Sequence, residues 1–340
     1  MTLQKISRPS VAVPLLVFLL LAAVPFVANA ADQSFYIALV ARIVIYAIAA
    51  SALNFVLGYG GMVSFGHALF FGLGAYSVGL PAFYGINDGW LQLACCLAVC
   101  GGVALVTGAI SLRTTGIAFI MITLAFAQMG YYLIVSLKQY GGDDGLGIAQ
   151  ASDFGLFNLG SPERIYAVAL AVLVLTTWWL GRLREAPFGM ALRGARMNAR
   201  RVNAVGLPVL PYQLSAYVMS GMICGVAGML HANLNAFASP SALSWTISGE
   251  LIVMVVLGGM GSVAGPVLGA LAFLGLEELL KAYTEHWMVI FGPLIVLMAL
   301  AGKKGIVGML QRLDHQPPAP QVPRVQAAAQ MAAPIRQESV

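Results

Sequence analysis

Charged residues are scarce in this chain. Asp, Glu, Lys and Arg make up 9% of its 340 residues, whereas about 25% is usual in a soluble domain. Hydrophobic residues account for 60%, against roughly 45 to 50% in soluble proteins. This imbalance excludes an ordinary soluble protein. It also excludes a nucleic-acid-binding protein, because 18 basic residues spread over so apolar a chain cannot form a continuous surface that tracks phosphates.

Sequence motifs for catalysis and cofactor binding are missing as well. The chain has no Gly-x-x-x-x-Gly-Lys-Ser/Thr sequence, so we do not expect it to hydrolyse ATP itself. Its four cysteines and four histidines show no spacing typical of a metal site, and no Gly-x-Ser-x-Gly sequence occurs. We therefore expect that the chain is not an enzyme and that it binds neither a cofactor nor a metal.

Long hydrophobic runs dominate the sequence. Crossing about 30 Å of hydrocarbon takes roughly 20 apolar residues, and most of the runs approach that length. The ten runs cover residues 11–28, 34–57, 64–85, 91–111, 115–137, 164–181, 211–233, 247–258, 264–281 and 286–301. The run at 247–258 is too short for a simple span, so it must be tilted, re-entrant or buried among its neighbours. The sequence thus predicts an all-α polytopic membrane protein with about ten transmembrane segments, some of them short or broken.

The positions of the basic residues predict how these segments are oriented. Cytoplasmic loops of membrane proteins carry an excess of Lys and Arg. With both termini in the cytoplasm, most of the 18 basic residues fall on that side, while Lys138, Arg164 and Lys281 fall outside with most of the acidic residues. Treating residues 247–276 as one span would move the lysine pair at 303–304 outside. We therefore expect two segments there.

The two ends of the chain differ from each other in composition. Residues 1–33 hold the first transmembrane segment, which resembles a signal anchor. The sequence Ala28-Asn29-Ala30 also resembles a signal-peptide cleavage site, so cleavage stays open. Residues 303–340 are rich in Pro, Ala and Gln and have no sustained apolar periodicity. This composition predicts a disordered cytoplasmic tail.

Glycine is concentrated in two segments near the ends of apolar runs. The first holds Gly58, Gly60, Gly61, Ser64, Gly66 and His67, and the second holds Gly258, Gly259, Gly261, Ser262, Gly265 and Pro266. Both contain Gly-Gly-Met-x-Ser, which indicates either a duplicated segment or a chance match. Irregular backbone at membrane depth is tolerated only where it is buried in protein or lines a cavity. These residues are therefore predicted either to pack helices closely or to line and gate a translocation path.

Basic residues are densest between Arg182 and Pro211. Helical spacing places Leu192, Ala195, Ala199 and Val202 on one face and Arg193, Arg196 and Arg200 on another, and Gly206 and Pro208 are stop signals. The pattern predicts a short amphipathic helix along the membrane surface. Such a helix serves either as an anchor to anionic lipid or as a contact for a partner protein.

Several blocks, in the right order over about residues 35–305, resemble the branched-chain amino acid ABC transporter permeases. The blocks are Leu53-Asn54, Gly58-Tyr59-Gly60-Gly61, Ser64-Phe65-Gly66-His67-Ala68 and Phe71-Gly72-Leu73-Gly74-Ala75-Tyr76; Arg113, Gly116 and Thr123-Leu124-Ala125-Phe126-Ala127; Gly141-Gly142 with Asp144-Gly145-Leu146; and Pro187-Phe188-Gly189 through Gly206. A last block, Gly258-Gly259-Met260-Gly261-Ser262 with Gly265-Pro266 and Gly269-Ala270, suggests the M-type permease rather than its H-type partner. The family often has an acidic residue between Arg196 and Arg201, where this chain has Asn198-Ala199, so one ion pair between subunits is in doubt.

The resemblance implies an ATP-driven importer in the bacterial inner membrane, with both termini of this chain cytoplasmic. Residues 34–302 would form the permease domain, with a cytoplasmic coupling loop at 182–210. The expected partners are a second, H-type permease, two cytoplasmic ATPase subunits that use ATP and magnesium, a periplasmic substrate-binding protein and membrane lipid. Arg193, Arg196, Arg200, Arg201 and Gly206 would couple the permease to the ATPases.

The substrate implied by the resemblance is a branched-chain or other hydrophobic amino acid. A urea or short-amide permease of the same family is the alternative, because it shares the same blocks. An ion-coupled secondary transporter is a further alternative, but such carriers commonly need ionisable groups in the membrane, and here only Glu250 and Arg42 lie within or near spans. A passive channel would leave the arginine-rich helix without a purpose.

Overall fold

A computed structural model gives the fold of the chain. It describes residues 13, 16–21, 23, 34–155, 157–284, 286, 288–293, 296 and 305–313. Helices make up almost all of the regular structure in these residues. One two-stranded sheet is described, in which β1 (Leu146–Gly147) pairs with β2 (Phe237–Ala238) in antiparallel register. The prediction of an all-α fold is confirmed.

The helices follow the apolar runs of the sequence. Those with described bounds are α1 Ser34–Asn54, α2 His67–Phe83, α3 Gly89–Ser111, α4 Ile117–Ser136, α5 Pro162–Glu185, α6 Pro187–Ala204, α7 Val209–Asn235, α8 Trp245–Gly258, α9 Gly265–Tyr283 and α10 Gly305–Leu313. A π-helical stretch, Phe55–Tyr59, continues α1, and 3₁₀ turns occupy Lys138–Tyr140 and Pro240–Leu243.

Five of the described helices are long and apolar enough to cross a membrane. They are α1 with its π-helical extension, α3, α4, α5 and α7. Helices α2 and α8 are apolar but span only 17 and 14 residues. The predicted number of about ten spans is therefore not confirmed. The candidate segments at 11–28 and 286–301 lie partly outside the described residues.

The sequence near residue 258 forms two helices, as predicted. Helix α8 ends at Gly258 and α9 begins at Gly265. A Cβ atom on Gly258 would lie 1.8 Å from the carbonyl oxygen of Gly265, and one on Gly269 would lie 1.9 Å from that of Met254. These paired approaches show that α8 and α9 run antiparallel with their backbones in contact.

Loop contacts sort the helix ends into two groups. At the first, called the tyrosine end, the hydroxyls of Tyr84 and Tyr140 are 2.6 Å apart and Leu146 pairs with Ala238. At the second, called the glycine end, the segment around Gly58 meets the turn after α8 and the surface helix α6. The membrane-length and shorter apolar helices connect the two ends alternately, as expected for a polytopic chain.

Helix α1 is the most enclosed of the long helices. Within its most apolar stretch 72% of the residues are buried, against 28% in α3 and 22% in α4. Helix α1 packs against α5, α7, α8 and α9. Large apolar side chains of α3 and α4, among them Val106, Met121 and Leu133, are exposed. Such a surface suits contact with lipid or with a second membrane subunit.

The tail contains structure that the sequence analysis did not predict. Residues 303–340 are predicted to be disordered, and this is wrong for Gly305–Leu313, which form α10. Val307 is buried and Ile306 packs against the main core. Helix α10 is held by α8 and α9, so its stability comes from tertiary packing, which a short apolar stretch beside a proline-rich segment does not reveal. The rest of the predicted tail lies outside the described residues.

Candidate functional site

The two glycine segments identified in the sequence lie against each other, and Asn54 joins them. Asn54 is buried at the end of α1. Its side-chain Nδ2 donates to the carbonyl oxygen of Ser262 at 2.8 Å, and its Oδ1 accepts from the backbone N–H of Gly261 at 2.9 Å. One amide therefore satisfies a donor and an acceptor of a turn more than 200 residues away in the sequence.

Gly58 brings the backbones of the two segments into direct contact. A Cβ atom at this position would lie 2.3 Å from Oδ1 of Asn54 and 2.5 Å from the backbone nitrogen of Gly261. Neither atom can move without breaking the hydrogen bonds of Asn54. The glycine is therefore required for close approach, which is one of the two roles that the sequence allowed.

The turn after α8 needs glycine for its backbone conformation. Gly259 and Gly261 have φ angles of 116° and 77°, a region that other residues avoid. The Ser262 hydroxyl donates to the carbonyl oxygen of Gly259 at 2.8 Å, which closes the turn. Pro266 follows in the first turn of α9, where its missing N–H costs no hydrogen bond.

Arg196 links the surface helix α6 to the same junction. Its guanidinium donates a hydrogen bond from Nη1 to the carbonyl oxygen of Gly58. Its stem also covers Gly61, where a Cβ atom would meet Cγ of Arg196 at 2.7 Å and where φ is 70°. The basic face of α6 is thus fixed through one arginine to the backbone that carries the first glycine segment.

A small cavity opens beside this contact. It has a volume of about 270 Å³, and its lining includes Gly60, Gly61 and Arg196 together with Thr114 and Gln213. The cavity therefore lies between the first glycine segment, the loop after α3, α6 and the start of α7. Three of the residues selected from the sequence meet here, whereas the threonine and the glutamine were not selected, because nothing in the local sequence shows that their loops converge.

The start of α2 is held by hydrogen bonds from two other helices and by one within its own segment. Ser248 Oγ of α8 accepts from the N–H of Ala68 at 2.8 Å and donates to the carbonyl oxygen of Phe65 at 2.7 Å. Within the segment, Ser64 Oγ accepts from the N–H of Gly66 at 3.1 Å. Thr123 of α4 accepts from the N–H of Phe65 at 3.2 Å. Ser64 and Gly66 therefore serve to shape the entry into α2.

His67 is completely enclosed among α1, α2 and α7. Its Nε2 lies 2.9 Å from Oγ of Ser220, and that hydroxyl is 2.5 Å from the carbonyl oxygen of Ala52. Because the carbonyl can only accept, Ser220 must donate to it, and the Nε2–H of His67 must donate to Ser220. Nδ1 then has no proton, and it has no hydrogen-bond partner among the described residues. The side chain touches no cavity that is described here.

The surface helix α6 is amphipathic only over its first half. Leu192 and Ala195 are buried, as the helical spacing predicts. At Asn198 the backbone leaves the helical region, with φ −162° and ψ 97°, and the side-chain Oδ1 accepts from the N–H of Arg201 at 3.1 Å. The predicted continuation of the apolar face through Ala199 is therefore wrong, since Asn198 breaks the helix and caps a second short one.

The remaining basic residues of α6 differ in their contacts. Arg193 donates to the carbonyl oxygens of Arg184 at 3.1 Å and Gly189 at 3.3 Å. Arg200 and Arg201 have exposed side chains. Gly206 has a φ angle of 89° just past the end of the helix, so the predicted stop signal is present. Only Arg196, among the arginines of α6, reaches the glycine junction in the described residues.

The contacts described above converge on one region of the molecule. Two glycine turns, an asparagine bridge and one arginine contact form a junction at the glycine end of α1, α6, α8 and α9. Arg196 joins α6 to the backbone at Gly58, and Asn54 joins the end of α1 to the turn at Gly261.

Comparisons with known proteins identify the family of the chain. Residues 35–299 match the family described as branched-chain amino acid transport system / permease component. The high-affinity branched-chain amino acid transport permease LivM of Salmonella typhimurium is 29% identical over 290 residues, which cover 78% of this chain and 68% of that protein. LivM of Escherichia coli is also 29% identical, over 294 residues with the same shares.

The high-affinity branched-chain amino acid transport permease LivH is a more distant relative. LivH of Escherichia coli is 24% identical over 292 residues, covering 77% of this chain and 91% of that protein. The higher identity to LivM than to LivH agrees with the M-type character of the block around Gly258. No solved structure matches the chain significantly. The family match covers most of the chain in one continuous range, and the chain therefore belongs to the branched-chain amino acid transport permease family, a family of membrane transporter subunits.

Proposed function

We propose that this chain is the inner-membrane permease subunit of an ATP-driven importer for branched-chain or other hydrophobic amino acids. In this proposal it pairs with a second, H-type permease, two cytoplasmic ATPase subunits drive it, and a periplasmic binding protein delivers the substrate. The glycine end, with its dense arginines, faces the cytoplasm, and both termini lie there. ATP and magnesium are used by the partner subunits only.

The observation that carries the proposal is the contact from Arg196 to Gly58. A helix that only anchored the protein to anionic lipid would need basic side chains directed at the membrane surface. Instead, Arg196 connects α6 to a junction shared by α1, α8 and α9. Met197 and Val205 of the same loop are 89% and 81% exposed. Exposed apolar residues beside exposed arginines suit a protein partner at this surface.

The mechanism follows from this connection. Closure of the ATPases displaces α6, and Arg196 passes the displacement to the backbone at Gly58. The Asn54 bridge carries it to the α8–α9 turn. The permease then shifts between inward-facing and outward-facing states as a rigid-body change of population. The glycine segments lie where the helices would move against each other.

Reconstituted transport tests the proposal as a whole. The full assembly, with its binding protein, is placed in proteoliposomes, and uptake of labelled leucine and of urea is measured with and without ATP. We expect leucine uptake that requires ATP and the binding protein and survives the collapse of ion gradients. Uptake of urea alone would support the short-amide alternative. Uptake driven by an ion gradient without ATP would support a secondary transporter, and either result would overturn the proposal.

Charge reversal in α6 tests the coupling role. Arg196→Glu removes the bond to Gly58, whereas Arg200→Glu makes the same charge change at an exposed position of the same helix. We expect Arg196→Glu to abolish uptake while ATP hydrolysis continues. Arg200→Glu should leave the coupling of hydrolysis to uptake intact, even where it weakens ATPase association. Arg193→Glu combined with Arg196→Glu should lose both association and uptake, and normal transport by this pair would contradict the coupling role.

A further inference from the structure

A group of charged side chains lies at the tyrosine end of α1, α8 and α9. It consists of Arg42, Glu250, Glu277 and Lys281. Glu277 is buried within α9, with only 8% of its surface exposed. The permease mechanism described above uses none of these residues. Charges at membrane depth are costly and usually mark a functional site.

The four charges are paired unevenly. Glu277 takes both contacts: its Oε1 is 2.5 Å from Nζ of Lys281 and 3.7 Å from Nη2 of Arg42. Glu250 is half-buried, and it makes no hydrogen bond or ion pair within the part of the chain that the structure describes. Helices α1 and α8, which carry Arg42 and Glu250, pack against each other, and Glu250 lies within the electrostatic influence of Arg42, Glu277 and Lys281. One carboxylate is thus left with free acceptor capacity beside a partly exposed guanidinium.

Apolar and aromatic groups surround the charges. The guanidinium carbon of Arg42 lies 5.7 Å from the ring centre of Tyr46. The ring of His231 contacts Tyr46 edge-on at 5.7 Å and lies 5.2 Å from that of Phe71. His231 Nε2 is 3.0 Å from Nδ2 of Asn235, while Nδ1 is buried without a hydrogen-bond partner in the described residues. A second polar group therefore also lacks a partner next to Arg42.

We propose that Arg42 and Glu250 form a binding site for the zwitterion of an α-amino acid, in which Arg42 binds the carboxylate and Glu250 binds the ammonium group. This inference rests on the proposed function and assigns residues to substrate recognition. A guanidinium and a free carboxylate on neighbouring helices match the two opposite charges of a zwitterion.

The position of the site fits a transport cycle. It lies at the tyrosine end, which is the outer end in the proposed orientation and the side where a binding protein would release its cargo. The same three helices, α1, α8 and α9, carry the glycine junction at their other ends. A bound substrate would therefore contact the same helices that α6 displaces through Arg196.

Binding of charge-deleted analogues tests the site. The full assembly in nanodiscs, without binding protein, is titrated with labelled leucine, with isoamylamine, which lacks the carboxylate, and with 4-methylpentanoate, which lacks the ammonium group. The variants are Glu250→Gln and Arg42→Gln. Glu250→Gln conserves size, Arg42→Gln keeps a polar but shorter side chain, and neither leaves Glu277 unpaired, because Lys281 remains. Glu163→Gln and Arg164→Gln make the same charge changes at exposed positions of α5 at the same end.

The expected result has a pattern that misfolding cannot produce. Glu250→Gln should weaken leucine and isoamylamine binding by about tenfold or more, but leave 4-methylpentanoate binding unchanged. Arg42→Gln should weaken leucine and 4-methylpentanoate binding and spare isoamylamine. The two α5 variants should bind all three like the wild type. Equal losses for all three compounds, no loss in either variant, or no leucine binding by the wild type would overturn the site.

The failure of this inference can be distinguished from failure of the proposed function. If the assembly takes up leucine with ATP but Glu250→Gln and Arg42→Gln bind and transport normally, the proposed importer function is supported and the proposed binding site is overturned. If ATP-driven leucine uptake is absent, the proposed function falls. The analogue pattern then reports separately on whether the two residues recognise a zwitterion.

Discussion

The side chain of Asn54 accepts a hydrogen bond from the N–H of Gly261 at 2.9 Å, so that the end of α1 is fastened to the turn between α8 and α9. Replacing Asn54 with Ala leaves that N–H and the carbonyl oxygen of Ser262 without their partner. Because both bonds are partly buried, we expect a loss of about 2 kcal/mol of unfolding free energy. Thermal unfolding of the purified assembly should show a lower Tm.

The control for this change is Asn158→Ala, an exposed asparagine at the tyrosine end. It should leave the Tm within error of the wild type. We also expect Asn54→Ala to reduce uptake more than ATP hydrolysis, since the bridge lies on the proposed route from α6. An unchanged Tm and unchanged uptake in Asn54→Ala would show that the Asn54 hydrogen bonds contribute neither to stability nor to transport.

Gly58→Ala is expected to disrupt the junction. The added Cβ atom would lie 2.5 Å from the backbone nitrogen of Gly261, so the two segments must separate. Gly102→Ala is the matched control, because a Cβ atom there meets nothing within 4 Å. Because Gly102 lies within helix α3, replacing it with Ala should leave the stability of the protein unchanged or raise it by up to about 1 kcal/mol. Assembly yield and Tm measure both, and a folded, transporting Gly58→Ala variant would contradict the close contact.

Sequence patterns predicted the parts of this fold that depend on local periodicity. The separation of α8 from α9 followed from a short apolar run and from the lysine pair at 303–304. The stop at Gly206 followed from its position after a periodic segment. The two glycine segments were identified by their shared Gly-Gly-Met-x-Ser sequence, although only the structure shows that they touch.

Features that depend on distant residues were not predictable in this way. Nothing near Arg196 indicates that its side chain contacts Gly58, because its helical face predicts only that the residue is exposed, as it is. Asn198 was noted as a departure from the family, yet its role as a cap depends on the backbone break beside it. The grouping of Arg42 with Glu250 and Glu277 arises from packing between helices far apart in the sequence, which periodicity does not encode.

His67→Leu separates a packing role from a role in the translocation path. Within the described part of the chain the enclosed ring makes one hydrogen bond, to Ser220, and that serine keeps its bond to the carbonyl oxygen of Ala52 after the change. We therefore expect a loss of about 1 kcal/mol or less and nearly normal uptake. Ser220→Ala should cost more, because it leaves both His67 and Ala52 without a partner. Loss of uptake in His67→Leu at an unchanged Tm would instead favour the path role.

Asn198 allows the second half of α6 to be tested on its own. Asn198→Ala removes the cap from the N–H of Arg201, which should cost about 1 kcal/mol and speed amide hydrogen exchange in residues 199–204. Asn198→Asp should preserve protection, because a carboxylate accepts the same bond and its charge favours a helix start. Met197→Ala, at a neighbouring exposed position, is the control and should exchange like the wild type. Equal exchange in Asn198→Ala and the wild type would show that the cap does not hold this segment, and that contacts to other residues position Arg200 and Arg201.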